Sequence, residues 1–330
     1  MFSKHLSPLS AVLPLFIALF LFGCAKSRFQ KTEGLIWNTA YHVTFDGDPS
    51  LADSIIVVLN DVGKSLNVFD TTSLVSRVNR LDTTLVDNHF KKVYKGSMKA
   101  YTESHGMFDP TLSPLIAAWG FGKGHEPTAD TLRIPLIMEY VGMDKTHLHG
   151  DTLIKDNPNI NFNFSAIAKG YACDAVAAML RRNEVTNYLV EIGGEIAMGG
   201  VSPSMDQWRV SIDRPIETDS SIVHDACAVI QITDAGMATS GNYRNFHKQN
   251  GQTMGHTISS KTGRPVATDV ISATVIAPSA MEADAIATAC MAAGSEEAKR
   301  LISTLKYEAL LILADSTTWS TPGLSKQLDK

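Results

Sequence analysis

The sequence has little charge and no strong bias of sign. Only 19% of its residues are charged, and 29 lysines and arginines stand against 34 aspartates and glutamates. With no basic excess, no nucleic-acid partner is expected. Cysteine is scarce as well, at four in 330 residues with none in a C-x-x-C. Away from the N-terminal segment, Cys173, Cys227 and Cys290 are an odd set that cannot pair fully, so they read as buried small hydrophobes. Gly193-Gly194 and Gly199-Gly200 frame no G-x-G-x-x-G, and no G-x-x-x-x-G-K-[ST] occurs. Dinucleotide-fold and P-loop chemistries are therefore unsupported. Internal repeats and low-complexity tracts are also missing. What remains is an ordinary globular composition, 44% hydrophobic, enough for a sizeable core and one or two domains.

The longest apolar run, Ala11 to Leu21 interrupted by Pro14, is too short for a confident spanning helix. Lys4 and His5 precede it and Phe22-Gly23-Cys24 follow. This arrangement resembles a bacterial lipoprotein signal, residues 1–23, with cleavage leaving a lipidated Cys24. An uncleaved membrane anchor is the alternative. Residues 24–33 read as a tether and 34–330 as the folded domain.

Periodicity places the elements. A first strand is expected over Gly34 to Phe45 and a helix over Leu51 to Asn67, whose Ile55, Val58, Leu59, Val62 and Leu66 mark one face. A second helix spans Asp87 to Glu103, closed by Gly106, and a modest one is expected from Pro127 to Val141. Strands are expected at Asn187–Ile192, Gln207–Asp213, Ala226–Thr233, Val270–Ala277 and Ala309–Ala314, with helices at Ala280–Met291 and Glu296–Leu305. Segregated strand runs with intervening helices point to an α+β fold. His147 and His149 have metal-like spacing without a partner cluster, so two solvated strand histidines are the better reading.

One stretch organises the rest. Ile160, Phe162 and Phe164 alternate with Asn161 and Asn163 as in a half-buried strand, and Ile167, Tyr171, Val176, Met179 and Leu180 then fall near helical spacing. Ser165 stands where an N-cap is wanted. Ala166, Ala168 and Gly170 are small enough for another molecule to approach the backbone, and Lys169 adds a positive charge, a combination that suits a phosphate. A plain strand-to-helix turn with a solvated lysine is the simpler account of this stretch taken alone.

Three further constellations bear on it. Met237 to Asn245, followed by Gly255-His256-Thr257-Ile258 and Lys261 to Pro265, is dense in hydrogen-bonding groups and turn residues. Taken alone, His256 reads as a structural histidine more readily than as a base. Asp284 and Thr288 are four apart, so on a helix their oxygens can meet one hard cation. An exposed acid and a back-bonded threonine would fit the same spacing. Leu189 to Glu195 carries two acids around Gly193-Gly194, as a strand entering a glycine turn or as a hairpin.

In order, the chain carries Phe108-Asp-Pro-Thr111, Trp119-Gly-Phe121, Ala166-Ile-Ala-Lys-Gly-Tyr-Ala172, Val190-Glu-Ile-Gly-Gly-Glu195, Ala238-Thr-Ser-Gly-Asn-Tyr-Arg-Asn245, His256-Thr-Ile, Thr262-Gly-Arg-Pro265 and Met281-Glu-Ala-Asp284. From about Gly34 onward it resembles the ApbE family, the FAD:protein FMN transferases. The resemblance implies an α+β, T-fold-related catalytic domain of mixed sheets and packed helices. It also implies Mg²⁺-dependent transfer of the FMN half of FAD onto a threonine or serine hydroxyl, with release of AMP. The targets would be flavoprotein subunits with a Ser/Thr-Gly-Ala-Thr type motif. By matched motif positions, Asp284, Thr288 and the Ala166 carbonyl would hold Mg²⁺. Trp37, Phe69, Met107, Phe108, Asp109, Asn163, Lys169 and His256 would line the FAD site, and His256 would be the catalytic base. Many relatives are lipid-anchored, so membrane attachment through Cys24 with the domain facing the periplasm is expected.

The chain departs from the family pattern at Trp37-Asn38-Thr39, where Met-Gly-Thr is usual, at Phe69, often tyrosine, and at Asn163-Phe164-Ser165, commonly Asp-Leu-Gly. These positions surround the inferred nucleotide site. Water attacking the same phosphorus would make the protein an FAD pyrophosphatase giving FMN and AMP. A non-catalytic flavin-binding lipoprotein would need neither Asp284, Thr288 nor His256.

Overall fold

The computed structural model describes residues 29–120, 133–213, 226–241, 246–249, 252–255, 258–266 and 268–328. The expected signal, Cys24, the start of the tether, Phe121, Asn242 to Asn245, His256 and Thr257 lie outside the described residues, as does the beginning of the helix expected from Pro127.

The described structure starts with strand β1 (Phe29–Ile36), turns through Trp37-Asn38 and returns as β2 (Thr39–Asp46). Part of the expected tether and the single expected strand are thus a hairpin. Ile36 faces Thr39 across a two-residue loop, and Trp37 and Asn38 have φ of 49° and 61°. That is the turn geometry whose twist matches antiparallel strands. The loop carries no glycine to announce it.

Helix α1 (Leu51–Leu66) buries Ile55, Leu59, Val62 and Leu66, and α2 (Leu74–Asn79) is capped by the Ser73 side chain. Asp87 caps α3 (Asn88–Glu103) by accepting the Phe90 N–H at 2.8 Å. Short helices α4 (Ser113–Ala118) and α5 (Ile134–Met138) follow, the latter ending short of the expected Val141. A small ribbon, β3 (Thr146–His149) with β4 (Thr152–Lys155), leads to α6 (Ala168–Arg182). His147 lies 3.2 Å from Asp156 on the surface of that ribbon.

The second half supplies β5 (Tyr188–Ile192), β6 (Glu195–Gly199), β7 (Trp208–Asp213), β8 (Ala226–Ile232) and β9 (Ala235–Gly241). After the β10 (Phe246–Gln249) and β11 (Gln252–Gly255) ribbon come β12 (Val270–Ala277), α7 (Ala280–Ala293) and α8 (Ser295–Leu305). The chain ends in β13 (Glu308–Leu313), β14 (Thr318–Ser320) and α9 (Pro322–Leu328).

Among the described residues eight strands form one sheet in the order β1-β2-β5-β6-β9-β12-β13-β14. The architecture is the expected α+β, and every described ladder is antiparallel, so neighbouring strands alternate in direction with none of the parallel pairs that a mixed sheet would hold. Alternation along the strands splits the core. Phe45, Val190, Ala197 and Val275 face the helices, whereas Ile196, Met198, Met237 and Ile276 face β7, β8 and α9. Helix α7 is buried nearly all round and rich in alanine, the signature of a helix held between the sheet and other helices. No helix among the described residues is long and apolar enough to cross a membrane.

The 160–164 segment shows how a pattern can be right and the element wrong. Ile160, Phe162 and Phe164 are fully buried, as alternation predicts, but they pair with no strand. The Asn79 side chain takes over the ladder's task, accepting the Phe162 N–H and donating to the Phe162 carbonyl, both at 2.8 Å.

Candidate active site

Ser165 does not cap α6. Its N–H is taken by Asn163 Oδ1 at 2.9 Å, and an intervening turn, in which Ala168 N–H reaches the Phe164 carbonyl, delays the helix to Ala168. The group that meets the start of α6 comes from another element. Asp284 on α7 accepts the Gly170 N–H through Oδ2 at 3.1 Å. Gly170 is required there: a Cβ would collide with the Ala280 carbonyl and lie 2.9 Å from the Asp284 Cβ. The absent side chain lets α6 and α7 touch, setting a carboxylate against a helix N-terminus, where negative charge is favoured. One backbone N–H of this turn, that of Gly170, is therefore already engaged by an acid.

Asp284 is 3% exposed and has no ion-pair partner among the described residues. Burial raises its carboxyl above the usual carboxylate range, against the lowering pull of Lys169 and of the Gly170 N–H. Thr288, one turn further along α7, lies with Oγ1 3.2 Å from Ser240 Oγ on β9 rather than bonding back to its own helix. Ala166 packs half-buried just ahead of α6. Among the described residues no three His, Cys, Asp or Glu side chains gather as a metal cluster. A single buried carboxylate beside a hydroxyl still presents hard oxygen donors, the set that suits Mg²⁺ when a ligand's phosphates complete the shell.

Lys169 projects from the first turn of α6 and meets Glu195 Oε2 at 2.5 Å. Burial alone would lower the lysine's pKa, but Glu195 and Asp284 together hold it above its usual value. For Glu195 burial works against ionisation and pushes the carboxyl up to about 8, in spite of the lysine. At 2.5 Å we read the pair as charged, because an ammonium against a buried acid leaves neither charge uncompensated. The Glu195 position follows from the turn before it. Gly193 and Gly194, with φ of 62° and 102°, close a two-residue hairpin that sets Ile192 opposite Glu195. The hairpin reading of this motif holds.

The Met107-Phe108-Asp109 loop is tied to the same region, as the Asn163 N–H reaches the Pro110 carbonyl at 2.7 Å. Asp109 Oδ1 accepts from the Thr111 N–H at 2.8 Å and from its hydroxyl at 2.6 Å, and burial raises its carboxyl to about 6. Met107 is half-buried. Phe108 is 1% exposed, so its side chain belongs to the core and only its backbone can face a ligand. On the other side Ser260 donates to the Gly106 carbonyl, and Trp119 Nε1 donates to the Gly263 carbonyl at 2.7 Å. Residues 258–264, which follow His256, are therefore bound to the loop that carries Asp109. Trp37 sits half-buried at the β1–β2 turn beside α1, whereas Phe69 is 71% exposed just beyond the end of α1.

Asp284, Thr288, Lys169, Asn163 and the Met107–Asp109 loop are thus linked by backbone contacts and shared packing. Glu195 is the residue that sequence reasoning left without a role. Its only signal was a second acid after a glycine pair. A groove of about 720 Å³ lies elsewhere, between α3, α6 and the start of α7, and none of the predicted site residues lines it.

Known proteins resemble this chain along most of its length. The ApbE family model matches residues 37–311. The FAD:protein FMN transferase of Haemophilus influenzae is 30% identical, the match covering 96% of each chain. That of Vibrio cholerae serotype O1 is 32% identical over 89% of this chain and 91% of its own. Among solved structures, the flavin transferase ApbE from Vibrio cholerae superposes with a TM-score of 0.78 at 28% identity, covering 91% of this chain and 99% of that one. The apo form of Pseudomonas stutzeri flavinyl transferase ApbE gives a TM-score of 0.80 at 26% identity, covering 92% and 97%.

Proposed function

This chain belongs to the ApbE family, and from that premise we propose that it is an FAD:protein FMN transferase whose acceptor is a threonine or serine hydroxyl of a target flavoprotein. The observation that carries the reading is the buried Asp284 carboxylate set against the start of α6 with Lys169 beside it. In the reaction the acceptor oxygen forms a bond to the phosphorus of the FMN half. The diphosphate P–O bond breaks, AMP leaves with the bonding electron pair, and the hydroxyl proton passes to a base, for which His256 is the candidate.

Asp284, Thr288 and the Ala166 carbonyl would hold Mg²⁺. When bound, Mg²⁺ supplies neutralisation of the diphosphate charge. Lys169 adds a fixed positive charge, while Asn163, Asp109 and the backbone of Met107 and Phe108 shape the nucleotide site. Trp37 and Phe69 would flank the flavin nucleotide. The test is incubation with FAD, Mg²⁺ and a flavoprotein subunit carrying the Ser/Thr-Gly-Ala-Thr type motif. Flavin fluorescence on the subunit should survive denaturing electrophoresis. Free FMN and AMP with an unlabelled subunit would instead establish the pyrophosphatase, and FAD bound without turnover the non-catalytic flavin-binding lipoprotein.

The proposal extends to location: the protein is a bacterial lipoprotein held to the membrane by lipidated Cys24, its catalytic domain facing the periplasm. The Leu21-Phe22-Gly23-Cys24 ending of the apolar run supports it. Wild type should incorporate labelled lipid and fractionate with membranes, and Cys24→Ala should do neither. Equal labelling of both would overturn the anchoring.

A further inference from the structure

We infer that Glu195 is a positioning residue for the nucleotide: its buried carboxylate holds the Lys169 ammonium at the mouth of the site and aims the remaining N–H groups at an FAD phosphate. The inference rests on the transferase reading.

A lysine in the first turn of α6 is badly placed for its own helix, because the N-terminal end of the dipole is positive. Its long stem also has many rotamers to lose. Something must offset the first effect and fix the second. Glu195 does both from a position that cannot drift. It follows directly on the two-residue Gly193-Gly194 turn, lies on the helix-covered face of β6 and is 3% exposed. Its carbonyl accepts the Cys173 thiol at 3.1 Å, which fastens the start of β6 to α6. Beyond the ion pair, Oε2 has no hydrogen-bond partner among the described residues.

The two members of the pair are unequally covered, with side-chain exposures of 4% for Glu195 and 34% for Lys169. An ion pair that only pinned β6 to α6 would gain nothing from leaving the lysine side chain partly uncovered while its acid is enclosed. Here the acid is enclosed and the ammonium, with three N–H donors, keeps donors to spare. The pair also keeps Lys169 from Asp284. That second buried acid lies near enough to act on the lysine electrostatically, and without Glu195 it is the counter-charge the ammonium would turn to. The oxygens proposed for Mg²⁺ would then be engaged by the lysine.

The test is a double-mutant cycle read by FAD binding, with wild type, Glu195→Gln, Lys169→Met and the double variant compared by flavin fluorescence. Glu195→Gln keeps the side chain's size and should weaken FAD binding by about tenfold, the order expected when a charge-assisted contact is lost. Lys169→Met should weaken it at least as much, and the double variant no further than Lys169→Met alone. Glu195→Asp, which keeps the charge on a shorter stem, should retain part of the affinity. A double variant in which the two losses multiply would overturn the inference. So would Glu195→Gln with unchanged FAD affinity and only a lowered Tm. In both of those cases wild type still binds FAD and labels its acceptor, so the transferase reading stands. Wild type that fails to bind FAD at all would overturn both.

Discussion

Asp284→Ala should remove FMN transfer and any FAD hydrolysis together, by on the order of a thousandfold or more. Charge stabilisation by a bound metal is worth several kcal/mol, and each 1.4 kcal/mol is tenfold in rate. The size of the effect follows from the position of the carboxylate. It is buried, without an ion-pair partner among the described residues, and the only formal charge among the proposed metal donors. Thr288 contributes a neutral hydroxyl shared with Ser240, so Thr288→Ala should cost less and be partly rescued by excess Mg²⁺. Chelation of the wild type should reproduce the aspartate phenotype. Because Asp284 also receives the Gly170 N–H, alanine removes a structural contact as well, and Asp284→Asn separates the two roles by keeping an acceptor while losing the charge. Melting curves establish that each variant folds, and steady-state rates over a Mg²⁺ titration give the result. Normal Mg²⁺-dependent turnover by Asp284→Asn would show the metal donors to be wrongly assigned.

The elements that sequence reading located well are those whose pattern is self-contained. Helices α1 and α3 each present one apolar face, and β12 is a long β-branched run, so local periodicity was sufficient. Strand β6, offered only as the second arm of a possible hairpin, and strand β9, not expected at all, were hard to see for a physical reason. Glu195–Gly199 is buried on both faces and so has no alternation to detect. Ala235–Gly241 is made of small and polar residues that read as loop, yet it lies in the middle of the sheet because α7 packs closely over it. The β1–β2 turn uses Trp37 and Asn38 at positive φ, where glycine would have given a signal.

The same distinction runs through the site. The Asp284–Thr288 spacing is local to one helix and was legible. The Lys169–Glu195 pair joins a helix start to a strand start, and the Asp284–Gly170 contact joins two helices, so neither leaves a pattern in the sequence. Phe108 is the converse case. Its motif carried the family resemblance, but its side chain serves the core, so any ligand contact from this motif would have to come from its backbone or its neighbours.

His256→Asn should leave FAD affinity close to that of the wild type while slowing FMN transfer on the order of a hundredfold or more, the usual loss when a general base is removed. The reasoning starts from the acceptor. A threonine or serine hydroxyl is a weak nucleophile at neutral pH and needs its proton taken as the P–O bond forms. Imidazole, alone among side chains, has an unperturbed pKa suited to that task near neutrality. The segment after His256 is anchored where such a base would be useful. Ile258 is buried against Leu112 and Leu115, Ser260 holds the Gly106 carbonyl, and Trp119 holds the Gly263 carbonyl, so residues 258–264 travel with the Met107–Asp109 loop. Asparagine retains a hydrogen-bonding side chain of similar reach but cannot accept the proton, so binding and chemistry should separate. FAD titration by fluorescence gives the first quantity, and single-turnover labelling of the acceptor subunit gives the second. If the substitution abolishes FAD binding, His256 belongs to the nucleotide site and the base must be sought elsewhere. If transfer proceeds at the wild-type rate, the acceptor hydroxyl needs no base from this position.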